Sequence, residues 1–251
     1  MPFARHLSSG SVEPVSGGIE QRVPALGWSD IHTELDARGF AVVPALLTGN
    51  ECVGLASLYD EPARFRSRVV MARHGFGRGE YRYFEHPLPD VIGARRAAAY
   101  PRLVPVADVW AERLRQPRRY PPTLDAFHAE CRAVGQVRPT PLLLKYGPGD
   151  YNCLHQDLYG DVVFPLQLAV LLSRPGEDFE GGELVLTEQR PRMQSRVEVV
   201  PLSQGDAVIF AVHHRPVAGT RGSYRVNMRH GVSRIRRGQR FTAGIIFHDA
   251  A

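Results

Sequence analysis

Apolar positions follow two rhythms along this chain. Up to about residue 137 they recur mainly every three or four positions, the period of a helix face. The stretch "WSDIHTELDARGF" (28–40) predicts a helix capped by Ser29 or Asp30 and stopped at Gly39. "FAVVPALL" then reads as a strand and "TGNECVGLASLYD" as a second capped helix. "SRVVMARHGFGRGEYRYFEHPLP" (67–89) holds two strand-like runs around a Gly-rich centre, a hairpin or a loop able to move over a pocket. From Asp90 to Val134 the chain turns Ala- and Arg-rich with helical spacing, as in "PVADVWAERLR" and "TLDAFHAECRAV".

After residue 138 the rhythm shortens to β-type segments separated by turns: "TPLLLKY", "YNCLHQD", "PLQLAVLLS", "GELVLTE", "RVEVVPL", "DAVIFAV", "YRVNMRHGVSRI" and "RFTAGIIFH". Short strands at close spacing predict a sandwich or jelly roll rather than an alternating parallel sheet. The expected class is α+β: a double-stranded β-helix core at 138–251 and supporting helices within 28–137. A Ser-, Gly- and Pro-containing mobile leader is expected at 1–27.

Composition changes this picture little. No apolar run approaches the roughly 20 residues of a membrane-spanning helix. "MPFARHLSSGSVEPVSGG" lacks the apolar core of a secretion signal. A cytoplasmic protein without a membrane partner is expected. Cys52, Cys131 and Cys153 form no C-x-x-C pair and read as small buried apolar residues in a reducing compartment. The net charge of +5 is carried almost wholly by arginine, since Lys145 is the only lysine. Its distribution is uneven: residues 149–188 hold eight acids and one arginine, residues 190–240 eleven arginines and two acids. A basic surface beside an acidic one suits an anionic ligand or nucleic acid; a solvated arginine-rich surface is the plain alternative.

The chemistry sits in the β-rich half. Residues two apart on a strand point to one face, so His155 and Asp157 can bind one cation together. A second histidine on a facing strand would complete the set, with His230 the leading candidate and His213 or His214 its rivals. Two histidines and one carboxylate leave positions open on a non-haem iron. Arg240, ten residues after His230, could clamp a remote carboxylate in a bidentate manner. Tyr146 precedes the pair, although a core tyrosine would look the same. "GFGRG" (75–79) lacks the strand-turn-helix setting of a nucleotide-binding loop.

Taken in order, the Y-x-P-G turn, H-x-D, "LLSRPGEDFEGGEL", "LSQGDAVIFAVHH" and H-x9-R ending in "GQRFTAGIIFH" resemble the 2-oxoglutarate- and Fe(II)-dependent dioxygenases over about residues 140–250. The resemblance implies Fe(II) held by His155, Asp157 and His230. It implies 2-oxoglutarate held by Arg240 and Tyr146, and dioxygen as the oxidant. The reaction implied is hydroxylation of a C–H bond coupled to decarboxylation of 2-oxoglutarate to succinate.

Two branches are echoed. "KYGPGDYNCLHQD" is similar to the AlkB-type nucleic-acid demethylases, but Ile246 and Leu144 stand where that branch carries an arginine and an asparagine. "DFEGGEL" and the H-x9-R ending are closer to prolyl hydroxylases. The nearest pattern is that of a bacterial oxygenase family, prolyl-hydroxylase-like in its core, assigned by similarity to oxidative demethylation of damaged DNA. It implies alkylated nucleic-acid bases as substrate and DNA as partner, gripped by the Arg-rich surface. A lid at 72–86 would bring Arg73, Arg78, Tyr81 and Tyr83 to the substrate, with His214 at the rim. Hydroxylation of a protein side chain or a small metabolite is the alternative. A zinc hydrolase built on the same ligands, which would have no need of Arg240, and a non-catalytic jelly-roll module are more remote.

Overall fold

The computed structural model describes residues 22–220 and 222–251. Helix α1 (Trp28–Arg38) stops at Gly39, whose φ of 79° is the left-handed turn expected there. Its N-cap is Gly27 rather than Ser29 or Asp30, and no side chain caps it. Strand β1 (Phe40–Val43) leads to α2 (Gly49–Ser57), which opens on a reciprocal capping box between Thr48 and Glu51. Strand β2 (Phe65–Val70), the short β3 (Gly77–Arg78) and β4 (Glu80–Phe84) follow. Helix α3 (Asp90–Arg113) runs through Pro101 and Pro105, and α4 (Leu124–Ala133) is capped by Thr123.

The eight strand segments expected beyond residue 138 all form. They are β5 (Leu142–Tyr146), β6 (Tyr151–His155), β7 (Leu166–Leu171), β9 (Leu184–Gln189), β10 (Arg196–Val200), β11 (Ala207–Ala211), β13 (Gly222–Val232) and β15 (Arg240–Ile246). Three short strands fill the turns between them: β8 (Phe179–Gly181), β12 (His214–Gly219) and β14 (Ile235–Gly238). Seven strands form one antiparallel sheet in the order β1-β11-β7-β15-β5-β4-β2. The second sheet runs β10-β9-β13-β6-β3, with β12 also on β13, and β14 pairs β8.

The N-terminal half therefore does more than support the core. Its strands β1, β2 and β4 extend the large sheet and β3 extends the small one. Their pairing covers backbone groups of β11, β5 and β6 that would otherwise lie at open edges. The expected lid at 72–86 is thus built into both sheets. The last residues of the expected leader also pack: Val23 is buried and its carbonyl accepts from Trp28 Nε1 at 2.9 Å. Residues 1–21 of that leader lie outside the described residues.

Strand alternation separates a structural face of the large sheet from a functional one. Leu143, Leu168, Val170, Ile209, Ala243 and Ile245 face one way and join the main core with Tyr100, Leu103, Trp110 and Phe127 of the helices. Tyr146, Gln167, Phe210, Arg240 and Thr242 face the other way, into a cavity against the small sheet. The seam between α3 and the end of β15 is fixed by Arg96. Its guanidinium donates to the Ile246 carbonyl at 2.8 Å, the Phe247 carbonyl at 3.0 Å and Asp249 Oδ1 at 2.8 Å.

Candidate metal and cosubstrate centre

Asp150 closes the turn between β5 and β6 by accepting from the Gly147 amide at 2.8 Å, which aims β6 back along the pocket. His155 ends β6 and stands in register with His230 of β13, their ring centroids 4.1 Å apart. A register shift separates this pair from the Val232–Asn152 pair, so β6 is irregular here. Asp157 lies just beyond the strand rather than on it. Its Oδ1 is 3.6 Å from His155 Nε2 and its Oδ2 is 3.3 Å from His230 Nε2. One ligand atom from each residue falls within 4.8 Å of the other two. The first-choice histidine is thus the one brought to the H-x-D motif.

The surroundings hold these donors in ligand form. His155 Nδ1 meets the Cys153 carbonyl at 2.8 Å, so its proton points there and the Nε2 lone pair faces the cluster. Burial, and then the charge of His230, depress protonation of His155. Burial alone would raise the Asp157 carboxyl, but the hydrogen bond and charge of His230, with His155 and Tyr159, hold it well below the usual range. Both carboxylate oxygens have protein donors: Tyr159 Oη at 2.7 Å and Gln167 Nε2 at 2.8 Å. Phe210 packs edge-on against His230 with centroids 4.8 Å apart. Cys153, expected to be buried, is exposed at this strand.

At the other end of the same cavity sits Arg240, 2% exposed and paired in register with Tyr146. Among the described residues it has no carboxylate partner: it donates only to Thr242 Oγ1, and its Nε has no acceptor. Burial pushes its pKa down to about 10, with Tyr146 and Glu183 opposing, so it stays charged at neutral pH. Gly182 makes room for it, since a Cβ there would lie 2.9 Å from Arg240 Cδ and its φ of 65° suits glycine. Tyr146 is fully buried and accepts from Asn152 Nδ2 at 3.3 Å. The cavity between the two ends has a volume of about 200 Å³ and mostly apolar walls, including Leu144, Leu184 and Leu202.

Of the substrate candidates, Tyr81 alone lines this cavity. Tyr83 stands behind it, its ring centroid 5.3 Å from that of Tyr81 and 6.0 Å from that of Tyr159. Arg78 is exposed on β3, Arg73 is exposed in the preceding turn, and neither lines the cavity. His214 stacks on His213 in a separate cavity of about 280 Å³ beside Trp110 and Leu158. The expected basic surface is broken up, because many arginines serve inside the fold. Arg95, Arg96, Arg215 and Arg240 are buried. Arg113, Arg118, Arg119, Arg236 and Arg237 are paired with carboxylates.

Sequence reading missed Gln167, Tyr159, Asn152, Phe210 and Thr242. Two carried a signal: Gln167 interrupts the apolar run "LQLAVLL", and Thr242 lies two positions after Arg240 on the same strand face.

A family model, Oxygenase-NA, described as "Oxygenase, catalysing oxidative methylation of damaged DNA", matches residues 79–250. The chain belongs to this family. Membership makes it an oxygenase, an oxidoreductase. Uncharacterized protein Rv2227 of Mycobacterium tuberculosis H37Rv is 49% identical over 168 residues, covering 67% of this chain and 72% of that protein. Among solved structures, a Pseudomonas putida prolyl-4-hydroxylase superposes with a TM-score of 0.54 at 13% identity, covering 89% of this chain and 99% of that one. A 2OG-Fe(II) oxygenase-family oxidoreductase from Burkholderia pseudomallei gives 0.51 at 15% identity, covering 90% and 94%. The Trichoplax adhaerens prolyl hydroxylase in complex with a hypoxia-inducible-factor peptide gives 0.52 at 15% identity, covering 92% of each chain. The Oxygenase-NA chain thus has the fold of the 2-oxoglutarate/Fe(II) oxygenases.

Proposed function

We propose that the protein is an Fe(II)- and 2-oxoglutarate-dependent dioxygenase that hydroxylates a C–H bond, with N-alkylated nucleic-acid bases as its substrates. One observation carries the reading. A two-histidine, one-carboxylate cluster shares a cavity with a buried arginine for which the described residues offer no carboxylate. Such an arginine is stable in an apolar wall only when an anion meets it.

The residues fit the cofactors. His155 and His230 supply imidazole nitrogens and Asp157 a carboxylate oxygen, a donor set suited to Fe(II) with open positions. Iron held there would supply activation of dioxygen and oxidative decarboxylation of the cosubstrate. Arg240 meets the far carboxylate of 2-oxoglutarate, with the Thr242 and Tyr146 hydroxyls beside it. Tyr159 and Gln167 keep both oxygens of Asp157 in place, so the ligand does not swing when substrate enters. Leu144, Leu184 and Phe210 keep the cavity poor in water. Tyr81 and the exposed Phe76 stand at its open side, where a base out of its stack would rest. Hydroxylation of an N-methyl carbon gives a hemiaminal that releases formaldehyde, which is demethylation by oxygenation.

The prolyl-hydroxylase architecture of the solved neighbours favours protein side chains as a second reading. Succinate release with methylated single-stranded DNA, methylated duplex DNA and proline-containing peptides separates the two. Stimulation by methylated DNA, with formaldehyde formed in step, is the expected result. Stimulation by the peptides alone would replace it with the second reading.

A further inference from the structure

Four exposed arginines gather on and beside the outer face of the small sheet. Met228 and His230 of β13 are buried toward the core, so Arg225 and Arg229 project outward, and both are exposed. Arg78 on β3 lies opposite Tyr151 of β6, and the Arg234 guanidinium stands 5.7 Å from the Tyr151 ring centre. None of these four arginines has a carboxylate partner among the described residues. On the helical side Arg113, Arg118 and Arg119 are paired and Arg95 and Arg96 are buried, while the exposed Arg102, Arg115 and Arg132 stand singly rather than together on one sheet face. The outward positions of β3, β6, β9, β10 and β13 hold no acidic residue, and exposed Val197 and Val199 share this face. The charge of Arg225 reaches His213 and His214 at the end of the face, where burial and that charge depress their protonation.

This face runs into the cavity mouth. Gln156 lines the cavity and donates to Asn227 Oδ1, an outward residue between Arg225 and Arg229, at 2.6 Å. Phe76 lines the cavity while 48% exposed, is stacked on His74 at 5.3 Å, and its carbonyl accepts from the Cys153 amide of β6. An unpaired cationic face beside an exposed aromatic rim is the arrangement that binds single strands, phosphates on the arginines and bases on the rings.

We infer that the outer face of the small sheet is the track of a single-stranded nucleic acid, with phosphates on Arg78, Arg225, Arg229 and Arg234 and the target base turning over Phe76 into the cavity. The inference rests on the nucleic-acid reading of the site and adds where the strand lies and its single-stranded form.

Its test is fluorescence anisotropy of a labelled unmodified oligonucleotide, single-stranded and duplex, across a salt series. The proteins are wild type, Arg225→Gln/Arg229→Gln, Phe76→Ala and the helical-side control Arg113→Gln, all checked for an unchanged melting temperature. The double variant should bind the single strand roughly ten-fold more weakly, with a salt slope shallower by about 1.4, two phosphate contacts at about 0.7 each. Phe76→Ala should weaken binding and leave the slope unchanged, and Arg113→Gln should match wild type. No binding by wild type, equal affinity and slope in the double variant, or tighter duplex binding would each overturn the inference. If binding behaves as stated but methylated strands release no succinate, the track stands and the demethylase reading falls. If methylated strands are turned over with an unchanged KM in the double variant, the reading stands and the track falls.

Discussion

Arg96 and Arg240 are both almost wholly buried, yet their surroundings differ in kind. Arg96, at the seam between α3 and β15, meets two backbone carbonyls and Asp249, so its charge is neutralised inside the fold. Arg240, on the opposite face of the same strand region, has a threonine hydroxyl and an aromatic ring and no described carboxylate. One arginine is a completed structural joint. The other is a cation to which the described residues give no paired carboxylate. The His-Asp-His cluster repeats the contrast: Asp157 has donors on both oxygens, yet the buried His230 Nδ1 has no partner among the described residues.

Five substitutions break or sharpen this contrast. The largest effect belongs to Asp157→Ala, which should abolish iron-dependent succinate formation; retained turnover would remove Asp157 from the ligand set. Next is Arg96→Met, which strands Asp249 and should lower unfolding free energy by about 3–5 kcal/mol in urea titrations. Adding Asp249→Leu should restore much of that loss. Arg240→Met should leave stability level or slightly raised, because no protein partner loses its charge. It should raise the 2-oxoglutarate requirement about 10- to 100-fold, the equivalent of a charge-assisted hydrogen bond of about 1.5–3 kcal/mol. An unchanged requirement would move the clamp elsewhere. Tyr159→Phe leaves one Asp157 oxygen without its donor and should weaken Mn(II) or Co(II) binding by about ten-fold, read by calorimetry. Affinity equal to wild type would mean that Gln167 alone positions the carboxylate.

The smallest expected effect is a pH dependence at the structural end. Burial tends to raise the Glu51 carboxyl, but Arg22, the Thr48 amide and Arg95 outweigh it and pull the pKa down to about 2. A depressed carboxyl contributes stability above its ordinary pKa of 4.5 and loses that contribution as pH falls toward about 2. Glu51→Gln should therefore flatten the stability profile between those values and leave turnover at neutral pH unaffected.

The β-rich half was legible because period-2 alternation carries register and face together: once "RFTAGIIFH" is a strand, Arg240 and Thr242 share a side and Phe241 and Ala243 the other. That alternation paired His155 with Asp157, whereas His230 and Arg240 were singled out by their order and ten-residue spacing and Tyr146 by the family resemblance; all five line one cavity. Other features had no local signature. Pro101 and Pro105 break the usual helix pattern, yet α3 passes through both, held by a buried stripe that includes Tyr100, Leu103 and Trp110. The 72–86 segment reads as a loop because β3 is only two residues long, and its strand character comes from pairing with β6. Arginine counts misled because burial and pairing are tertiary properties, so Arg215 and Arg225 look alike in sequence and end on opposite faces of the small sheet.

The most direct measurement is a crystal structure of the protein prepared without oxygen in the presence of Fe(II) and 2-oxoglutarate, with iron located by anomalous scattering. The account predicts one iron bonded to His155, Asp157 and His230, and the remote carboxylate of the diacid on Arg240. Iron bound by other side chains, or a diacid that leaves Arg240 without a partner, would contradict it.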